Sequence, residues 1–357
     1  MEGEIKNSVK VCLSILPSLC YCYFVASKLP KGKLRLLALL PILFLFAILP
    51  LFLSHVFPIG LTALFLSWLG NFKLLLFAFG KGPLSSHHHP SCSLIHFILV
   101  ACLPIRIKEN GEYPSSKSTQ SPQQTCPKHP RLPLNWPTKA SVFAMLVSAH
   151  DYGHFVHPRI VLLLYCCMVY LLIDIIFGVS NGLVHATSGL ELEAPSDEPY
   201  LSTSLQDFWG RRWNLMVTNL LRHTVYKPVR SFLDNKLGPK WAPLPAVLAA
   251  FLVSGLMHEL LFYYVTRVSP TWEMTWYFVL HGACVVAEFG VKRAFSDKPR
   301  LHWAVSAPLT IGFVVASAMW LFFPPLLRTG AVERAIGECK VLLDFLLSFL
   351  FKVKTIN

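Results

Sequence analysis

A chain of 357 residues that is 54% hydrophobic and only 14% charged reads as a polytopic membrane protein, because ordinary soluble domains carry about 25% charged residues. Its net charge of +13 would suggest nucleic acid in a soluble protein. Here the Lys and Arg sit in short loops between apolar runs, so nucleic acid is excluded and the expected partners are the lipid bilayer with its anionic headgroups and an anionic substrate.

Lys10 to Ala26 is barely long enough to span, since a span takes roughly 20 residues. Lys6 and Lys10 ahead of it resemble a secretory signal, but further spans follow at once and favour an uncleaved first span. Lys28, Lys31, Lys33 and Arg35 form a basic turn, which the positive-inside rule assigns to the cytosol. Leu36 to Ser54 and Ile59 to Phe79 are the second and third spans. In the third, Asn71 is expected to hydrogen-bond a neighbouring helix and Lys73 to snorkel.

His87, His88 and His89 lack the Cys or acidic company that a metal site needs, so no metal is expected there. The ten cysteines form no C-x-x-C pair, and those in apolar runs, such as Cys166, Cys167 and Cys284, read as small hydrophobes. Ser93 to Ile105 is too short to cross and reads as an interfacial or re-entrant helix. Residues 106–139, rich in Pro, Ser, Gln and Lys, read as a mobile cytosolic loop. Ala140 to Phe155 admits a span, a half-span or an interfacial helix. Ile160 to Val179 is a span interrupted by Asp174, an acid expected to pair with a neighbouring helix, with a place on a substrate path as the alternative.

Ser204 with Asp207 three residues on is close to a capping box, so a helix should start there. It carries Phe208, Trp209, Arg211, Arg212, Trp213 and Asn214. Between Ser204 and Trp241 there are seven Lys or Arg against two acids, which places the segment on the cytosolic face. Pro243 to Val265, Met274 to Gly290 and Trp303 to Leu327 complete the spans. Lys292, Arg293, Lys298 and Arg300 make another basic turn, and Leu342 to Phe351 a short apolar tail.

Several chemistries are excluded. There is no G-x-S-x-G elbow, no Gly-rich phosphate loop, and no second His at zincin spacing after His258 and Glu259. His258 remains. It lies fifteen residues past Pro243, which at about 1.5 Å per residue is roughly 22 Å into a hydrocarbon core of about 30 Å. Ser254 lies one turn earlier on the same helical face, and Gly255 permits close approach of a neighbour. In hydrocarbon the neutral imidazole is favoured, the state a general base requires. A structural His bonded to another helix is the alternative, and the residues alone leave both open. Likewise Asn214 is a candidate donor to a carbonyl or to the imidazole, and Arg211 and Arg212 candidates for phosphate, against an interfacial helix with snorkelling arginines.

The run from Glu198 to Leu201 and from Ser204 to Asn214 closely resembles plant wax synthases, the long-chain-alcohol O-fatty-acyltransferases of the membrane-bound O-acyltransferase superfamily. Ser254-Gly255-Leu256-Met257-His258 resembles that family's histidine motif. Further matches are Asn71 to Phe79, Pro270 to Glu273, Leu280-His281-Gly282 and Leu321 to Leu326. The resemblance runs almost the whole length and weakens between Lys108 and His157.

It implies an all-α polytopic membrane protein: one domain, residues 1–357, of about eight transmembrane or re-entrant helices around a tunnel, with residues 190–290 as the catalytic core. It also implies His258 as catalytic base with Asn214 as its polar partner, and substrate binding by Arg211, Arg212, Trp209, Trp213, Asp207 and Ser254. The reaction would join acyl-CoA, a substrate and not a cofactor, to a long-chain fatty alcohol in the endoplasmic reticulum membrane, with no metal or other cofactor. A sterol O-acyltransferase of the same family is the nearest rival. A non-enzymatic lipid transporter is the other, and it would show internal repeats and paired charges along several spans.

Overall fold

The computed structural model describes residues 2–85, 93–107, 136–295 and 301–356. Among these residues the chain is helical apart from a single bridge between Ile107 and Leu192. Seven helices are long and apolar enough to cross a membrane. In chain order the helices used below are α1 (Glu2–Phe24), α2 (Lys33–Ile48), α3 (Val56–Ala78), α4 (Leu94–Cys102), α5 (Trp136–Ala149), α6 (Pro158–Ser188), α7 (Leu215–Leu221), α8 (Lys227–Leu237), α9 (Pro243–Thr266), α10 (Glu273–Ala294), α11 (Trp303–Arg328) and α12 (Ala331–Ile356). The three adjacent histidines at 87–89 lie outside the described residues.

Local chemistry sets the ends of these helices. Pro158 opens α6 behind a His157 side chain that accepts from Arg159 N at 3.2 Å, and Gly189 at φ 66° closes it. Helix α3 is the most enclosed span. Carboxylates from distant helices satisfy the backbone N–H groups at its start. Glu338 accepts from Val56 N at 2.7 Å and Phe57 N at 2.8 Å, and Glu4 accepts from Ser54 N at 3.0 Å. Within α3, Ala63–Gly70 winds as π-helix, a rare form concentrated at functional sites.

Several expectations change here. Lys73 does not snorkel. It is fully buried, and its ammonium donates to Val100 O at 2.7 Å and Leu103 O at 2.6 Å. The carbonyls left open at the end of α4 are a nearer and stronger attraction than the interface. That contact holds the end of α4 against the last third of α3. A Cβ on Gly70 would crowd Phe65 O of the same helix at 3.1 Å and rest in ordinary contact with Ala101 O at 3.5 Å. Asn71 does reach its neighbour, donating to Leu43 O at 3.0 Å.

The segment expected as a loop over 106–139 is shorter at both ends. Arg106 pairs with Glu193 at 2.9 Å, Ile107 bridges to Leu192, and Trp136 to Lys139 already belong to α5. Residues 108–135 lie outside the described residues. Helix α5 is a 14-residue half-span followed by the 3₁₀ turns of His150–Phe155, and the tail at Leu342 belongs to a helix of 26 residues.

Basic residues gather at one face of the bundle. Lys292 Nζ donates to Ser204 Oγ at 3.2 Å, joining the end of α10 to the segment at 204–241. The buried Arg35 there ties Leu29 O, at 3.1 Å, to Phe77 O, at 3.2 Å. At the opposite face Arg267 donates to Pro50 O at 2.9 Å, Glu273 pairs with Arg328, and Asp151 pairs with Lys340.

Candidate active site

The site is built on the hairpin of α9 and α10, with α3 and the segment at 204–221 packed against it. Gly255 lets the two helices touch, because a Cβ there would lie 3.0 Å from Thr275 Cα. The neighbouring polar residues of α9 then divide their tasks. Glu259 is buried and accepts from Trp272 N at 2.9 Å, Thr275 N at 3.0 Å and Thr275 Oγ1 at 3.1 Å. It supplies the acceptor that the start of α10 needs, and so acts as a structural cap.

His258 points elsewhere. Its Nδ1 lies 2.8 Å from Ser254 O. A carbonyl can only accept, so Nδ1 carries the proton and Nε2 is left with its lone pair free. Phe278 stacks on the ring at 4.2 Å between centres, and Trp68 stands edge-to-face at 4.8 Å. The imidazole is thus held in one tautomer and one orientation, and it is only partly buried. The contact Ser254 makes with it is through the backbone carbonyl; its buried side chain faces inward beside Gly255.

Asn214 sits at the start of α7, where its Oδ1 accepts from Val217 N at 3.0 Å. It lines a cleft of about 10 Å³ with Tyr170, Asp174, Ser196 and Trp213. Among the described residues no hydrogen bond joins it to His258, and the expected imidazole partner is instead Ser254 O. The reason is local, because the first turn of α7 has N–H groups that need an acceptor. The two motifs still meet through packing. Met216, Val217, Leu220 and Leu221 of α7 form one apolar cluster with Trp68, Val253 and Met257.

The other expected binding residues are placed as follows. Ser204 caps as expected, accepting from Asp207 N at 3.1 Å. Asp207 binds Arg212 at 2.9 Å, and Arg212 also donates to Asp197 O at 3.0 Å, so both are committed to folding the segment. Arg211 is exposed and has no partner among the described residues. Trp209 donates its one N–H to His281 Nδ1 at 3.0 Å, which leaves it nothing for a substrate oxygen. His281 is fully buried and donates from Nε2 to Ser317 Oγ at 2.9 Å, and Ser317 passes its own proton to Phe313 O at 2.7 Å. Trp213 stacks on Phe208 at 5.4 Å. Asp174 finds the partner expected of it in Lys139 at 2.8 Å, and Ser196 donates to it at 2.5 Å. Among the described residues no group of three His, Cys, Asp or Glu is placed to hold a metal.

A membrane-embedded imidazole with a defined base nitrogen suits an acyl-transfer type of site better than a transport path. The sequence signature described as "Membrane bound O-acyl transferase family" matches residues 192–280. Over 346 residues the chain is 44% identical to a protein of Arabidopsis thaliana named probable long-chain-alcohol O-fatty-acyltransferase 1, covering 96% of this chain and 98% of the relative. It is also 44% identical over 346 residues to the long-chain-alcohol O-fatty-acyltransferase of Simmondsia chinensis, covering 97% and 96%. An Arabidopsis thaliana protein named acyl-CoA–sterol O-acyltransferase 1 is 42% identical over 324 residues, 91% of each chain. The chain belongs to the membrane bound O-acyl transferase family and is a multi-pass membrane enzyme.

Proposed function

We propose that the protein transfers a fatty acyl group from acyl-CoA to a long-chain alcohol, giving a wax ester and free CoA, in the endoplasmic reticulum membrane. The observation that carries the reading is the His258 tautomer, with Nδ1–H on Ser254 O and a free Nε2 at membrane depth. The names of the full-length relatives supply the fatty acyl group and the acceptor class, and the CoA thioester is the donor in the name of the relative described as a sterol acyltransferase.

The chemistry follows from that geometry. His258 Nε2 takes the hydroxyl proton as the alcohol oxygen attacks the thioester carbon. The Ser254 carbonyl stabilises the imidazolium that forms. Collapse of the tetrahedral adduct expels the CoA thiolate, which recovers the proton from Nε2. Asn214 keeps its amide Nδ2 for the reacting carbonyl while Oδ1 caps α7. The exposed Arg211 on the basic face attracts the CoA phosphates. The alcohol arrives laterally from the bilayer, along a tunnel that keeps water from the thioester.

A sterol acceptor is the second reading, favoured by the relative named as a sterol acyltransferase. Microsomes containing the expressed protein and equal mole fractions of hexadecanol and a phytosterol decide between them. We expect wax ester to dominate. Preferential sterol ester would overturn the acceptor while leaving His258 and O-acyl transfer in place.

A further inference from the structure

Trp68 is almost wholly buried, at 2% exposure, yet its indole Nε1 meets no acceptor among the described residues. Leu69, Leu76, Met216, Val217, Leu220 and Leu221 pack around it and offer no N–H or oxygen partner from their side chains. A buried donor without an acceptor destabilises a fold, and native proteins rarely keep one without a use for it. Phenylalanine would fill this apolar cluster without that cost. Trp209 shows the ordinary arrangement, with its N–H donated to His281.

The place of Trp68 gives the orphaned donor a use. Its ring stands edge-to-face on His258 at 4.8 Å, so indole and imidazole border the same reacting centre. It is carried on the π-helical stretch Ala63–Gly70, a wider turn than the rest of α3. That winding shifts side-chain register where an ordinary helix would not, as such segments do at functional sites.

We propose that Trp68 Nε1–H is a catalytic donor to the acyl carbonyl oxygen. The proposal rests on the reading of His258 as general base. As the alcohol oxygen bonds to the thioester carbon and gives its proton to His258 Nε2, the carbonyl π electrons move onto oxygen. That oxygen, now negative, accepts the indole N–H. When the C–S bond breaks, the electrons return to the carbonyl and the thiolate takes the proton from Nε2. The hydrogen bond strengthens as charge develops on the oxygen, and no other acceptor among the described residues competes for the N–H once the acyl chain has parted the surrounding side chains.

The test replaces Trp68 with 3-benzothienyl-alanine, which keeps the ring shape and lacks the N–H, in the full-length protein in membranes. Trp68→Phe is the second variant. Turnover and KM for acyl-CoA are measured at matched abundance, with His258→Ala in parallel. We expect kcat to fall about 10²-fold in both Trp68 variants with KM within about twofold of wild type. A benzothienyl variant with near wild-type kcat, beside an inactive His258→Ala, sinks the role of Trp68 alone. So does a defect seen only in Trp68→Phe, which would make Trp68 a packing residue. Retained turnover in His258→Ala would instead sink the base assignment.

Discussion

At the scale of single residues, His258 and Asn214 separate chemistry from folding. Among the described residues the imidazole hydrogen-bonds only to a carbonyl of its own helix, so His258→Ala should insert and accumulate normally while losing about 10²–10⁴-fold in turnover. Asn214 has two functional ends. Its Oδ1 caps α7, so Asn214→Ala should cost about 1 kcal/mol of stability as well as turnover. Asp is an equally good cap but has no amide donor. Asn214→Asp should therefore match wild type in detergent melting while kcat collapses, since a negative charge would face a developing oxyanion. If Asn214→Asp turned over normally, the residue would be a cap and nothing more.

At the scale of elements, the half-span α5 is held to α6 by Lys139 and Asp174, whose side chains are 13% and 10% exposed. The same carboxylate receives Ser196 at 2.5 Å. Next to it, Asp197 N donates to Arg212 O and Leu215 N to Pro195 O, both at 2.9 Å. One buried pair thus anchors the loop on which the segment from Arg212 to Leu215 rests. Asp174→Asn leaves the ammonium uncompensated and should cost about 3–5 kcal/mol, read as a lower melting temperature together with reduced turnover; an unchanged melting temperature would refute the anchoring role.

At the scale of the whole molecule, charge is sorted by face. The opposite face closes its charges on its own helices, through Glu4, Glu338, Arg267, Glu273 and Asp151. The basic face keeps Arg211 exposed and unpaired among the described residues, whereas Arg212 is consumed by Asp207. A field of this kind raises the local concentration of an anionic substrate and is screened by salt. Arg211→Glu should raise KM for acyl-CoA several-fold with kcat unchanged, and the difference should shrink near 1 M salt, where the Debye length is about 3 Å. A fall in kcat at constant KM would place Arg211 in the chemistry instead. Arg212→Ala should act differently, lowering stability first, because it unties Asp197 and Asp207 from the turn before Asn214.

The sequence alone determined the class and most of the long apolar spans, and singled out His258 as the candidate base. Long apolar runs can cross a bilayer only as helices, because hydrocarbon offers backbone groups no other partner, and an imidazole deep in such a run stands out without any coordinates. The capping role of Ser204 and the need of Asp174 for a partner were legible for the same reason, each being a local or energetic demand of the residue itself. Only the tertiary structure decided who answers whom. Lys73 reads as a snorkelling amine until the end of α4 is seen to supply two carbonyls. The sequence does not show that the Trp209 N–H is donated to His281. Trp68 is one apolar side chain among many until α9 brings His258 against it and leaves its N–H without an acceptor. Spacing along a chain specifies which side chains share a helix face. Contacts between helices distant in sequence depend on packing, and packing is where a buried donor or acceptor finds its partner or keeps its bond for a substrate.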